Sequence, residues 1–254
     1  IDNLVGATIV TADGQIRTIS ADNEPDLFWA IRGGGGNFGV VTEFEYQLHP
    51  FNRNVLCGAI IWPIAQARDV LEHYAEASSR YSHEMYVGPD LVQVPNIGDA
   101  IVMETIFAGD PAQGERELAA LRAVGTPAVD DVKVQDYMVM QTKDDVAFGH
   151  GIRSYAKNGM VREWTQGLVD ALLDAFNPRL FIGSHVAGGA VRRVGETDTA
   201  FPHRNAEIML VLASGWMDPA QDEQMIAETR ALYAAVEPFT GGYYTNIEFD
   251  GAAA

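Results

Sequence analysis

Seven residues near the front of the chain, Gly33-Gly34-Gly35-Gly36-Asn37-Phe38-Gly39, have the spacing that points most directly to chemistry. Gly34, Gly36 and Gly39 satisfy G-x-G-x-x-G, in which glycines let the backbone approach a dinucleotide pyrophosphate. That chemistry needs a strand before the glycines and a helix after them, because the free N–H groups of a helix N-terminus hold the phosphates. Here the order is reversed. "DNEPDLFWAIR", before the run, reads as a short helix, and "VVTEFEYQLH", after it, as a strand. The required acidic partner is also missing, since Asp69 lies too far along and inside a helical pattern. The run is not a Rossmann fingerprint. A helix cap and a bulge need one or two glycines, and four followed by Asn37-Phe38-Gly39 exceed that. N–H groups bared in such a loop can face a flat or anionic ligand. Zinc-ligand spacing, a G-x-S-x-G elbow and a P-loop are all missing from the sequence.

The elements that must position this loop follow from pattern. "LVGATIVTADGQIRTIS" reads as a hairpin turning at Asp13-Gly14. In the following helix Asp22 or Asn23 can cap, Pro25 fits the first turn, and Leu27, Phe28 and Ile31 form the apolar face. A composition shift at "HPFNRN", residues 49–54, marks a domain boundary between residues 50 and 51. Beyond it strands and helices alternate. "VLCGAIIW", "EMYVGPDLVQVP", "AIVMETIFAG", "VDDVKVQDY", "RLFIGSHVAGGAV" and "AEIMLVLASGW" read as strands. "IAQARDVLEHYAEASSRY", "DPAQGERELAALRAVG", "MVREWTQGLVDALLDAF" and "DPAQDEQMIAETRALYAAVEPF" read as helices. Asp110-Pro111 and Asp218-Pro219 make the same cap-plus-first-turn entry, a hint of internal pseudo-repetition. The direct strand-to-strand run over residues 84–108 predicts an antiparallel sheet rather than pure βαβ winding.

The chain has 254 residues, with 35 acidic against 17 basic side chains and a formal net charge of −18. So acidic a surface disfavours nucleic acid and anionic membranes, and it does not identify a substrate. No apolar run approaches the ~20 residues of a membrane span. The single cysteine, Cys57, has no partner for an intrachain disulfide and sits among apolar residues as a buried small side chain expects to. Cytoplasmic and secreted locations both stay open.

The stretch over residues 2–50 is also specific in its wording. "DNLVGATIVTADG" followed by "DLFWAIRGGGGNFGVVTEFEYQLHP" resembles the end of the FAD-binding domain of FAD-linked oxidases of the berberine bridge enzyme-like group, in the vanillyl-alcohol oxidase superfamily. Weaker similarity continues through "GDPAQGERELAALRAVGTP", "DTAFPHRNAEIMLVL" and "GGYYTN". The resemblance implies an α+β flavoenzyme fold: residues 1–50 as the C-terminal part of the FAD-binding domain, then residues 51–254 as a substrate-binding domain. The second is expected to be a large antiparallel sheet backed by helices. It further implies that the loop anchoring the pyrophosphate, and the residues that attach the flavin, precede Ile1, and that a closing segment follows the end. The 254 residues are therefore expected to be a fragment of an FAD-dependent oxidoreductase, and inactive alone.

The resemblance assigns site residues. Asp2, Asn3, Gly34, Gly35, Gly36, Asn37, Phe38, Gly39 and Val40 are expected to line the cofactor, with Val41 beside them. Tyr244 and Asn246 match the family's G-G-Y-x-N-Y wording, and Tyr244 is the candidate catalytic base. Oxidising an alcohol or amine carbon needs a group that takes the O–H or N–H proton while hydride goes to flavin. Ile247 stands where the family often has a second aromatic, a tyrosine near the flavin. Tyr137, Tyr155, His203, Arg204 and Asn246 are the substrate-pocket candidates, with Lys157 a further polar choice. No metal site is expected. The implied activity is hydride transfer from an alcohol, sugar or natural product to FAD, with O2 as the reoxidant. The alternative is a ligand-binding or interaction module without flavin.

Overall fold

The computed structural model describes residues 1–145 and 151–247. His150 and the closing residues from 248 lie outside them. The fold is α+β, and the chain divides into two compact units: residues 1–51 with 187–206, and residues 52–186 with 207–247 of those described. Residues 187–206, beyond the sequence boundary at 50/51, thus pack with the first unit.

In the first unit β1 (Leu4–Val10) and β2 (Ile16–Ser20) form the hairpin, and β3 (Val40–Tyr46) pairs antiparallel with β1 on its other side. Alternation sends Ala7, Ile9 and Ile19 to one face, where they pack with Leu4 and with Phe28 of α1 (Pro25–Ile31). The helix starts differently from expectation. Neither Asp22 nor Asn23 caps it; Glu24 holds the N-cap position in a left-handed conformation, with no side-chain cap bond. Asn23 instead pairs its backbone with Ser20.

The second unit is an antiparallel sheet of eight strands among the described residues. These are β4 (Asn54–Pro63), β5 (Met85–Val94), β6 (Gly98–Phe107), β7 (Val129–Asp130), β8 (Lys133–Asp136), β9 (Arg153–Val161), β10 (Leu180–Val186) and β11 (Ile208–Trp216). Their order is β7-β4-β6-β5-β10-β11-β9, with β8 also on β4. Helices α2 (Ala67–Ala77), α3 (Pro111–Arg122), α5 (Gln166–Ala175) and α6 (Asp222–Val236) bury their apolar stripes on one face of it. The short α4 (Tyr137–Thr142) follows β8. Asp110 and Asp218 make the expected entries, each side chain accepting from the N–H two residues on, at 3.2 and 3.0 Å.

The pseudo-repetition is larger than the Asp-Pro entries alone. β4-α2-β5-β6-α3 and β9-α5-β10-β11-α6 have the same element order, and the two halves meet at β5 and β10. Three local expectations need correction. The helix from Met160 begins only at Gln166, capped by Thr165, because Met160 and Val161 end β9. β9 itself carries few strand-forming residues and was not expected at all. "VDDVKVQDY" splits into β7 and β8, because the Asp131 carboxylate takes the Ala59 N–H at 2.6 Å and interrupts the ladder.

Candidate functional site

In the first unit the glycine run can be read residue by residue. A side-chain carbon on Gly33 would lie 2.4 Å from the Phe201 nitrogen, on Gly34 2.6 Å from the Ala30 oxygen, and on Gly39 2.3 Å from the Val10 oxygen. Close backbone approach therefore explains three of the glycines. Gly35 has φ of 76°, a left-handed conformation that favours glycine. Gly36 is different: a side-chain carbon there would meet no described atom within 4 Å. Asn37 turns its amide back toward the Gly34 carbonyl at 3.5 Å, Phe38 packs against the small core, and Val40 is exposed.

Asp2 and Arg204 meet. Both guanidinium NH2 groups donate to the two Asp2 carboxylate oxygens at 2.7 Å, and the same group also reaches Thr199 Oγ1 and the Val191 carbonyl. Arg204 is fully buried and lies over the Phe201 ring, with its Nε unpartnered. The hydrogen bonds from Arg204 hold the Asp2 carboxyl below its usual range. Trp29 Nε1 and Arg32 add bonds to the Thr197 and Asp198 carbonyls, so residues 187–206 are fastened at Asp2, ahead of β1, and at the end of α1. Asn3 Oδ1 pairs with His49 Nε2 at 3.0 Å, and the His203 ring packs edge-on to Phe201.

In the second unit the face of the sheet away from the helices carries a polar row. Cross-strand partners share a face. Ile61 pairs with Val102, Val102 with Asp90, Gly183 with Val211 and Val211 with Asn158, and the Leu91–Ile182 pairing sets Asp90 beside Gly183. Asp90 and Asn158 thus stand in one row, three strand spacings or roughly 14 Å apart, with Gly183 and Val211 between them. Asp90 is buried, and its carboxylate accepts the Ser184 N–H at 2.9 Å. Burial pushes this carboxyl well above its usual range, and the neighbouring Glu104 adds to that. Glu104 is ion-paired to Lys143, which also bonds Asp144. Burial opposes the charge on Lys143, but these bonds outweigh it and hold the amine above its usual value.

Asn158 is fully buried. Its Nδ2 donates to the Tyr244 carbonyl at 2.9 Å, and its Oδ1 accepts the Tyr244 N–H at 2.6 Å. The Tyr244 hydroxyl in turn accepts from Asn246 Nδ2 at 2.7 Å. Tyr244 and Asn246 are therefore brought together, and both hang from the end of the row. Tyr155 is not. It is buried on the helix side of the sheet, where its hydroxyl accepts from Arg230 Nε at 3.1 Å. Lys157 shares that side, above the Tyr233 ring of α6. Tyr137 opens α4 at the far edge and donates to Gln141 Oε1 at 2.8 Å. Sequence reasoning missed Asp90, Glu104 and Asn158, although the antiparallel pattern over residues 84–108 could have placed Asp90 and Glu104 on one face.

No family model matches the chain. An FAD-linked oxidoreductase of Dictyostelium discoideum is 28% identical over 96% of this chain and 55% of its own length. The (R)-6-hydroxynicotine oxidase of Paenarthrobacter nicotinovorans is 31% identical over 92% of this chain and 53% of its own length. Among solved structures, a berberine bridge enzyme-like protein of Arabidopsis thaliana superimposes with a TM-score of 0.85 over 98% of this chain and 56% of that one, at 17% identity, a likeness of fold. The chain spans about half the length of the curated relatives it matches. Among the described residues no helix is long and apolar enough to cross a membrane, and no three metal-ligating side chains cluster.

Proposed function

We propose, from the premise that this chain belongs with the FAD-linked oxidases of the berberine bridge enzyme-like group, that it forms one wall of a flavin site and the substrate floor of an oxidoreductase. Bound FAD supplies the hydride acceptor, and O2 is the proposed reoxidant. The substrate is a small alcohol, sugar or natural product; a relative named for 6-hydroxynicotine extends the class to small nitrogen-containing molecules. The observation that carries the reading is Gly36. Its neighbours in the run are glycine for reasons internal to the first unit, whereas at Gly36 the described chain leaves open space. A flat group lying on the loop backbone would make glycine necessary there. The residues present fit such a group: Gly34, Gly35, Gly36, Asn37, Phe38, Gly39 and Val40 would line it, and Asp2 and Asn3 would brace that wall.

In the second unit Tyr244 would take the substrate proton, held by Asn158 at its backbone and by Asn246 at its hydroxyl. His203 and Asn246 are proposed to contact substrate, and Tyr137 to border the floor. The surroundings of Arg204 favour a bracing role through Asp2, and those of Tyr155 a packing role beneath the floor.

The test is anaerobic mixing of the purified flavoprotein with small alcohols, sugars and hydroxylated nitrogen heterocycles, followed at the flavin absorbance. Bleaching by one class, reversed on admitting O2, is the expected result. A folded but colourless protein that still binds such ligands would establish the non-catalytic module in its place.

A further inference from the structure

The tail after α6 returns to the sheet along the outer edge of β9. Val161 pairs with Thr240, Gly241 N donates to the Met160 carbonyl at 2.7 Å, and Met160 N donates to the Gly242 carbonyl at 2.8 Å. A continued ladder would next engage the backbone of residue 158. Among the described residues it does not. Gly242 turns the chain with φ of 119°, and the next pair of bonds is made by the Asn158 side chain, which meets both the N–H and the C=O of Tyr244. A carboxamide has the donor and acceptor of a peptide unit. Here it acts as one more rung, displaced from the strand by the length of a side chain toward the face carrying Asp90.

We infer that Asn158 is the positioning residue for Tyr244, its carboxamide standing in for a ladder peptide and setting where the tyrosine leaves the sheet edge. An amide with no exposed surface is costly unless bonded, and both polar atoms of this one are used on the tail. This single side chain holds both the N–H and the C=O of Tyr244, at 2.6 and 2.9 Å. Ile247 N–H closes onto the Tyr244 carbonyl at 3.2 Å, which makes Tyr244 the pivot of the closing turn. The inference rests on the proposed role of Tyr244 as proton acceptor.

The experiment compares Asn158→Leu, Asn158→Asp and Tyr244→Phe in the flavin-loaded protein. Two readouts are taken: hydrogen exchange at the Tyr244 amide, and the rate and substrate dependence of anaerobic flavin reduction. Asn158→Leu should speed Tyr244 exchange about 10- to 100-fold, as expected for a lost buried bond. It should also slow flavin reduction at saturating substrate at least about 10-fold, with little change in half-saturation. Exchange at the β11 amides should not move and reports that the sheet is intact. Asn158→Asp keeps the acceptor for the Tyr244 N–H and loses the donor to its carbonyl, so both effects should be smaller; it decides the question if the Leu variant fails to fold. Unchanged Tyr244 exchange, or a change in half-saturation alone, overturns the inference while leaving the proposed function standing. Wild-type reduction by Tyr244→Phe overturns the proposed function and the inference with it.

Discussion

The two halves of the large sheet repeat one element order, yet their outer edges are finished differently. On β4 the chain after α3 adds β7, yields one rung to the Asp131 carboxylate, and then resumes as β8 over four residue pairs, Cys57–Lys133 through Asn54–Asp136. On β9 the chain after α6 makes bonds at Met160, turns at Gly242 and hangs from Asn158, with no further rung among the described residues. The first edge spends its side-chain rung on continuity. At the second edge the same device follows the last ladder bond of the described residues and holds Tyr244 off the strand by the length of a side chain. A repeated scaffold thus gains two differently finished edges by changing which strand supplies the stand-in peptide.

Each edge has a glycine that admits the added chain, and these give the sharpest contrast. A side-chain carbon at Gly58, where φ is 151°, would lie 2.7–2.8 Å from Asp131 Oδ1, the Asp131 carbonyl and the Val132 Cα. At Gly159 it would meet the Thr240 side chain, 2.4 Å from Cγ2. The first obstacle is mostly backbone and the second is the tip of one side chain. Gly58→Ala should therefore cost about 3 kcal/mol in urea unfolding, combining strain and overpacking. Gly159→Ala should cost about 1 kcal/mol and act locally, loosening exchange protection at Gly241 and Tyr244. Equal losses at both sites would end the claim that the second edge is the adjustable one.

The seam between the halves offers the next test. Asp90 faces Glu104 from β6, Lys143 and Asp144 from beyond α4, the Ser184 N–H from β10, and Tyr86 on its own strand. Its carboxyl is raised in the folded protein, so its favourable contribution is complete below the ordinary carboxylate value and is lost as pH rises through the folded value. Asp90→Asn keeps an acceptor for Ser184 and removes the titration. Its melting temperature should exceed that of the wild type at pH 8, and the gain should shrink toward zero near pH 4. A gain of the same size at both pH values would show that the carboxyl titrates no differently on folding.

Much of this fold was legible because its elements announce themselves locally. The Asp-Pro entries, the hairpin at Asp13-Gly14 and the apolar runs of β4, β6 and β11 each carry their own signal. β9 carries none. "RSYAKNGMV" is poor in strand formers and is held by its neighbours, so pattern reading passed over the element that bears Asn158. Arg204 shows a different gap. An arginine after a proline-marked turn looks available to a ligand, and only the return of residues 187–206 to the first unit puts it on Asp2, 202 residues away in sequence. Asp90 needed register as well as pattern, because its meaning depends on Gly183 and Asn158 across three strands.

The smallest expected effect separates the two stand-in rungs by their chemistry. Asp131 only accepts, from the Ala59 N–H, and its own backbone N–H returns to the Ala59 carbonyl at 3.1 Å. Asn158 must accept and donate at once. Asp131→Asn preserves the one acceptor that its site uses, so unfolding free energy should move by no more than about 0.5 kcal/mol. Asp131→Ala, which strands the Ala59 N–H, should cost about 1–3 kcal/mol. Exchange at the Ala59 amide reads both, remaining slow in the Asn variant and quickening in the Ala variant. Since β8 resumes the ladder regardless, neither change should alter exchange at Tyr244. An Asp131→Asn variant as damaged as Asp131→Ala would mean that the negative charge, rather than the geometry of a replaced peptide, holds the first edge, and the likeness between the two edges would fail.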